Sequence, residues 1–223
     1  MNSNKKDHLQ LLTVLFACFL IISNIAAVKI VEIAGFIFPA GLIFFPITFI
    51  FDDVITEVYG FKASRRIIWL AFLANSLVMI SLYAVTQLPS STYFADQSAF
   101  EAIFTVTPRI LLASLVSYLV GEFANSYVLA KLKIATNGKL FGLRAIASTA
   151  LGVGLDTILF CTIAFYGLMP SEVILSLISF QYFIKVSYEI LVLPLTYKVV
   201  AYLKKSDNVD YFDKDTNFSP FKL

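Results

Sequence analysis

Histidine and cysteine are nearly missing from this chain of 223 residues, which has one histidine, His8, and two cysteines, Cys18 and Cys161. His8 precedes the first apolar run, and both cysteines fall inside apolar runs, where packing accounts for them. Neither a disulfide framework nor a zinc site is expected. Charge is scarce too: 14% of residues are charged, and the net charge is +2. The cations lie in short loops rather than on one face, so a nucleic-acid partner is not expected. No GxSxG, P-loop or HExxH motif occurs, which leaves an enzyme reading without support and no catalytic or cofactor-binding residues to nominate. The adjacent Asp52 and Asp53 point to different helical faces, unlike the coupled pair of an intramembrane aspartyl protease.

What the chain has in excess is apolar surface: 59% of its residues are hydrophobic, and the mean hydropathy is +0.82. A soluble domain of this size has no use for so much, whereas a polytopic membrane protein does. A bilayer core takes about 20 apolar residues per helix. Six stretches qualify, at 9–28, 36–58, 67–88, 108–130, 143–168 and 173–203, giving an all-α membrane protein with six transmembrane helices in one domain. The first is too long for a signal peptide and lacks a small-residue cleavage site. The remainder, 204–223, is polar and acid-rich and reads as a disordered tail.

Loop charge sets the topology. Lys5 and Lys6 precede helix 1, and Lys62, Arg65 and Arg66 follow helix 2. Lys131, Lys133, Lys139 and Arg144 join helices 4 and 5, while Lys198, Lys204 and Lys205 end helix 6. Every cluster falls on one side, so both termini are expected in the cytoplasm.

The organising stretch is FPITFIFDDVITEVYGFKASRR, where an apolar run ends in Asp52, Asp53 and Glu57. Asp53 and Glu57 are i and i+4 and share a helical face. Such acids either mark a substrate or ion pathway or sit at the water interface and pair with Arg65 and Arg66. Pro39 and Pro46 should kink or break this helix, which is tolerated at membrane depth only against protein or a cavity. Gly60 suits a left-handed helix stop. Asn24 lies deep in helix 1 and should face other helices; Asn75 is the clear polar group of helix 3, and Trp69 an interface anchor. Part of the long loop 89–107, around 99–105, has the pattern of a short amphipathic helix or a lid.

Helix 4 carries Arg109, Glu122 and Asn125; the first two are about 20 Å apart along the helix and cannot pair with each other. Helix 5 has Ser148, Gly152 and Asp156 at i, i+4, i+8, a small-residue stripe that admits a close neighbour, within the chain or in a homo-oligomer. Asp156 is near mid-span and needs a partner. Helix 6 repeats the spacing with Gln181, Lys185 and Glu189, of which the last two could neutralise one another or merely fix packing. Polar groups on five helices outline a cavity closed by lipid-facing walls, that of a carrier or a membrane binding protein. A carboxylate accepts two parallel hydrogen bonds and matches the N–H and NH₂ edge of a guanine-like base; amides read mixed edges, and aromatics stack on a flat ring. Metal transport is the rival use of these acids, but companion histidines are absent, and no metal site is expected.

That inventory, in the stretches FPITFIFDDVITEVYGFKASRR, TPRILLASLVSYLVGEFANSYVLAKLK, LRAIASTALGVGLDTILFCTIAFYG and SFQYFIKVSYEILVLPLTYKVV, resembles the queuosine precursor transporters of the vitamin uptake transporter group. The resemblance spans about residues 10–203. It implies import of 7-deazaguanine bases, such as the 7-cyano and 7-aminomethyl forms, for salvage into tRNA modification. It implies a fold similar to the six-helix substrate-binding subunits of energy-coupling-factor transporters. It also carries over onto Asp52, Glu57, Arg109, Glu122, Asn125, Asp156, Gln181, Lys185 and Glu189, which with Asn24 form the candidate substrate-binding set. One acid among Glu122, Asp156 and Glu189 would hold the guanine-like edge, with Asn125 and Gln181 reading the remaining polar atoms. The alternative is a high-affinity binding subunit that needs an ATP-driven partner, although helix 1 lacks the AxxxA motif common in such subunits. A titrating carboxylate is one route to energy coupling, and facilitated diffusion with metabolic trapping is another.

Overall fold

The computed structural model describes residues 3–33, 36–105 and 108–222. Seven α-helices make up most of it: α1 (Ser3–Ala26), α2 (Phe45–Tyr59), α3 (Phe61–Thr86), α4 (Gln97–Phe104), α5 (Pro108–Ala135), α6 (Phe141–Phe165) and α7 (Ser171–Asp207). Among the described residues five segments are long and apolar enough to cross a membrane: α1, α3, α6, α7 and the one that contains α5. The side chains of Lys5 and Lys6, which count towards the expected topology, lie outside the described residues, as do Val106 and Thr107 of the long loop.

The second crossing differs from the expected helix over 36–58. A two-stranded antiparallel hairpin, β1 (Ile30–Ile33) and β2 (Phe36–Pro39), comes first, and a 3-10 turn follows at Ala40–Ile43. Only then does α2 begin. The prolines explain the change. Pro39 is extended at φ −65°, ψ 134°, and closes β2, while Pro46 occupies the first turn of α2, where no amide partner is needed. They delimit the helix instead of kinking it. At 15 residues α2 spans about 22 Å, short of a roughly 30 Å hydrocarbon core. It survives because it is wrapped: every residue from Asp52 to Tyr59 is buried, with α1, α3, α5 and α7 packed around it.

Gly60 is the whole connection between α2 and α3, at φ +85° and ψ 168°. The positive φ is the glycine-favouring one, but the extended ψ makes it a hinge and not a left-handed cap. Elsewhere the bundle is tightest between α5 and α6. A Cβ on Gly152 would lie 2.7 Å from the Gly121 carbonyl oxygen and 2.9 Å from the Cβ of Asn125, so the two backbones meet here. The small-residue stripe of the sequence is thus used inside the chain.

The acid-rich tail, expected to be disordered, is laid across the Gly60 end of the bundle. Its Tyr211 amide donates to the Val58 carbonyl at 3.2 Å, and Asp213 accepts the Phe61 amide at the start of α3 at 2.9 Å. Arg65 donates to the Asn217 and Ser219 carbonyls at 2.8 and 2.7 Å. The Trp69 indole N–H donates to the Pro220 carbonyl at 2.8 Å, with the Phe221 ring tilted against it. Arg65 and Trp69 read as topology and interface residues in the sequence; in the fold they hold the tail. Aromatic residues at 211, 212, 218 and 221 give the segment the apolar surface that its acidity conceals. His8 at the start of α1 reaches Asp207 at the end of α7 (2.6 Å), so these two helix ends lie together at this end of the bundle.

The backbone contact yields a stability test. Gly152→Ala should destabilise the protein by about 1–3 kcal/mol, an ordinary overpacking penalty. Gly154→Ala, whose Cβ would meet only the Tyr182 ring at 3.5 Å, should leave it unchanged. Thermal melting in detergent separates the two; equal melting points would refute the close approach.

Candidate functional site

The ten candidate residues separate into three levels along the bundle, with one at the rim. Nearest the hairpin is a cavity of about 90 Å³, several times the roughly 10–15 Å³ that one water requires. Asn24, Asp156, Gln181 and Lys185 line it, with Asn75, Ser114 and Tyr118 beside them and the rings of Phe45 and Phe160 in its wall. Asn24 donates to Asn75 at 3.3 Å and accepts from Ser114 at 3.2 Å, so three helices share one polar chain. Lys185 binds Asp156 Oδ2 at 2.7 Å and Thr157 at 3.2 Å, and its ammonium stands 4.6 Å from the Phe45 ring centroid. The partner that Asp156 requires is therefore Lys185, and the Lys185–Glu189 pairing considered from the sequence does not form.

The middle level is carboxylate-rich. Asn125 uses its amide nitrogen twice, donating to Asp52 Oδ2 at 3.1 Å and Asp53 Oδ1 at 2.8 Å. Asp52 also accepts from Ser64 and, at 3.5 Å, from Thr56. Thr48 donates to Glu122 at 2.8 Å. Asp52, Asp53, Glu122, Asn125 and Glu189 are all at most 1% exposed, and none of them lines the cavity. Among the described residues no group of His, Cys, Asp or Glu is arranged to hold a metal ion.

At the tail end, Glu57 is saturated by cations. Arg144 grips it in a bidentate pair at 2.7 and 3.2 Å, and Lys204 binds it at 2.7 Å. Lys133 donates to the Glu57 carbonyl oxygen and to Asp210, each at 2.5 Å. This node ties α2, α5, α6, α7 and the tail together, which is structural work. It also answers the interfacial reading: Glu57 is paired, but with Arg144 and Lys204 instead of Arg65 and Arg66. Arg109 stands at the opposite rim. It donates to the Ile163 and Tyr166 carbonyls, each at 2.5 Å, satisfying the free end of α6, and it does not line the cavity.

Sequence reasoning singled out Asp53 among the acids of α2 without placing it in the binding set, and it passed over Ser64, Arg144 and Thr149, the last of which donates to the Asn125 amide oxygen at 3.5 Å. Arg144 was read as one more loop cation, although its position on the first turn of α6, opposite an unpaired acid on α2, was the available signal. Ser64 and Thr149 are ordinary helix residues in sequence, and only packing reveals them.

The fold and these levels describe a multi-pass membrane protein with a small cavity lined by polar and aromatic side chains, the make-up of a membrane transporter. A family model described as "Putative vitamin uptake transporter" matches residues 39–199, and the chain belongs to that family. A relative from Bacillus subtilis (strain 168), called "Probable queuosine precursor transporter", is 30% identical over 176 residues, covering 78% of this chain and 77% of the relative. No solved structure matches the chain.

The node predicts an acid-sensitive tail. Partial burial works to raise the Asp210 carboxyl, but hydrogen bonds from Lys133 and Lys204 outweigh it and leave the group below its usual range. Because the folded value is depressed, the stabilisation is fully present above the unfolded value of about 3.9 and is lost as pH falls through the lower folded value. Emission from Trp69, the only tryptophan, should shift to the red over that acid window as the tail leaves the indole. In Asp210→Asn, which has no carboxyl to titrate, this part of the acid dependence should disappear and the emission should already be red-shifted at neutral pH. A spectrum blind to deletion of residues 208–223 would refute the docking.

Proposed function

We propose that this chain is a stand-alone carrier that imports queuosine precursors, 7-deazaguanine bases such as the 7-cyano and 7-aminomethyl forms, for salvage into tRNA modification. The observation that carries the reading is the cavity between α1, α3, α5, α6 and α7, where an acid, a base, amides and flat rings converge. Asp156 is the one carboxylate in its wall, which favours it over Glu122 and Glu189 for the two parallel bonds to the N–H and NH₂ edge. Lys185, already beside it, donates to the adjacent ring carbonyl. Gln181 and the Asn24–Asn75–Ser114 chain take the remaining polar atoms, and Phe45 and Phe160 face the flat ring. The relative's name supports the same substrate class. Asp52, Glu57, Arg109, Asn125 and Glu189 support the site at a distance.

By loop charge the Gly60 end, rich in Lys and Arg, faces the cytoplasm with both termini, and the hairpin end faces outward. The cavity then lies nearer the side from which a nutrient arrives.

Asp156→Asn should weaken binding of 7-aminomethyl-7-deazaguanine at least about tenfold, the scale of one charged hydrogen bond, and it should also lower the melting point, because the buried Lys185 loses its carboxylate partner. Unchanged affinity removes Asp156 from the site. Saturable uptake of the labelled base into liposomes containing only this protein supports the carrier. Tight binding without uptake instead supports a subunit that needs an ATP-driven partner.

A further inference from the structure

Four carboxyl groups, on Asp52, Asp53, Glu122 and Glu189, meet in the buried middle level from three helices, and their hydrogen bonding is unequal. Asp52 receives three donors, from Ser64, Thr56 and Asn125, so both of its oxygens have partners. Asp53 has one donor on Oδ1 and none on Oδ2; Glu122 has Thr48 on one oxygen and nothing on Oε2; neither oxygen of Glu189 has a partner among the described residues. All three of these side chains are at most 1% exposed.

Charge balance is the difficulty. Asp52 and Asp53 come from α2, Glu122 from α5 with Tyr118 one turn away, and Glu189 from α7. Asp156 on α6 faces Glu122, as does Lys185 on α7, but Lys185 is already bound to Asp156. Arg65 of α3, near Ser64, is turned to the tail carbonyls, and Arg144, Lys133 and Lys204 are committed to Glu57 and Asp210. No charged group of α1 reaches this level among the described residues. An isolated ionised carboxylate in such surroundings is so unfavourable that it takes up a proton instead. A protonated carboxyl also turns an orphan acceptor into a donor that can reach a neighbouring oxygen.

We infer that Asp53, Glu122 and Glu189 form a proton-binding site, distinct from the substrate cavity, which loads from one side of the membrane and discharges to the other. In each cycle a carboxylate oxygen gains a proton to become a neutral acid and later loses it to water; no other bond changes. The place of the site supports a coupling role, because Glu122 is one turn from Tyr118 and Glu189 one turn from Lys185, both in the cavity wall. The carrier reading underlies the coupling, though not the proton binding itself.

Two measurements test it. Infrared spectroscopy of the protein in lipid at pH 7, without substrate, should show a band from buried protonated carboxyls that loses a component in each of Asp53→Asn, Glu122→Gln and Glu189→Gln. No such band, or a band unchanged by all three substitutions, overturns the site. In liposomes, an inward proton gradient should accelerate uptake of labelled 7-aminomethyl-7-deazaguanine several-fold, and a sodium gradient at equal pH should not. Exchange of labelled for unlabelled base with no response to protons, or with a response to sodium, overturns the coupling while the carrier reading stands. No exchange at all refutes the carrier reading, and the infrared band still decides the proton site.

Discussion

Hydrocarbon cannot satisfy a broken backbone or a charged side chain, and the architecture depends on hiding one short helix that has both. α2 begins after a hairpin and a 3-10 turn, is too short to span lipid alone, and carries Thr48, Asp52, Asp53, Thr56 and Glu57, each at most 1% exposed. Each polar group placed in lipid would be unfavourable by several kcal/mol. The surrounding helices remove that penalty by turning their polar residues inward and leaving Leu73, Leu77, Leu143 and Leu191 on the outside. The result inverts a soluble core: its most buried large side chains include Arg144, Lys133, Glu57 and Glu122.

Because α2 runs between the hairpin and Gly60, it touches all three levels. Phe45 belongs to the cavity, Asp52 and Asp53 to the carboxyl layer, and Glu57 to the cation node, over about 18 Å of helix. A rigid element that contacts each level can transmit a displacement from one to another. The tail covers the corner at Gly60, where Tyr211 occupies the space a Cβ on Gly60 would need.

Much of this was legible from residue type and spacing. Inward-facing Asn24, the amphipathic pattern in the long loop, a close neighbour at the small-residue stripe of α6 and the need of Asp156 for a partner all follow from periodicity and from the energetics of polar groups in lipid, though not which helix the neighbour is. What escaped is pairing across helices. Arg144 and Arg65 are both cations after an apolar run, yet one is locked onto Glu57 and the other onto tail carbonyls. Arg109 has the isolation of a ligand-binding cation, but it caps the end of α6. The tail reads as disordered because its acids dominate its composition, while its aromatics do the docking. The hairpin was hidden by its own hydrophobicity: an apolar strand and an apolar helix differ only in Gly, Pro and β-branched placement.

Buried ion pairs add little net stability, because the loss of hydration offsets the attraction, so their presence is better explained by what they position. The Glu57 node is saturated: both carboxylate oxygens are occupied and the partners come from three elements, so no vacancy remains for a ligand or a proton. The Asp156–Lys185 pair is different. Lys185 holds one oxygen of Asp156 and also faces Thr157 and the Phe45 ring, all next to open space, so a ligand can exchange for part of these contacts without leaving a charge stranded. Glu189 represents the third condition, a buried carboxyl with no protein partner among the described residues. Satisfied acids hold the bundle, a shareable pair suits recognition, and an unsatisfied acid suits a transient occupant. That gradient, and not the number of acids, separates scaffold from site in this chain.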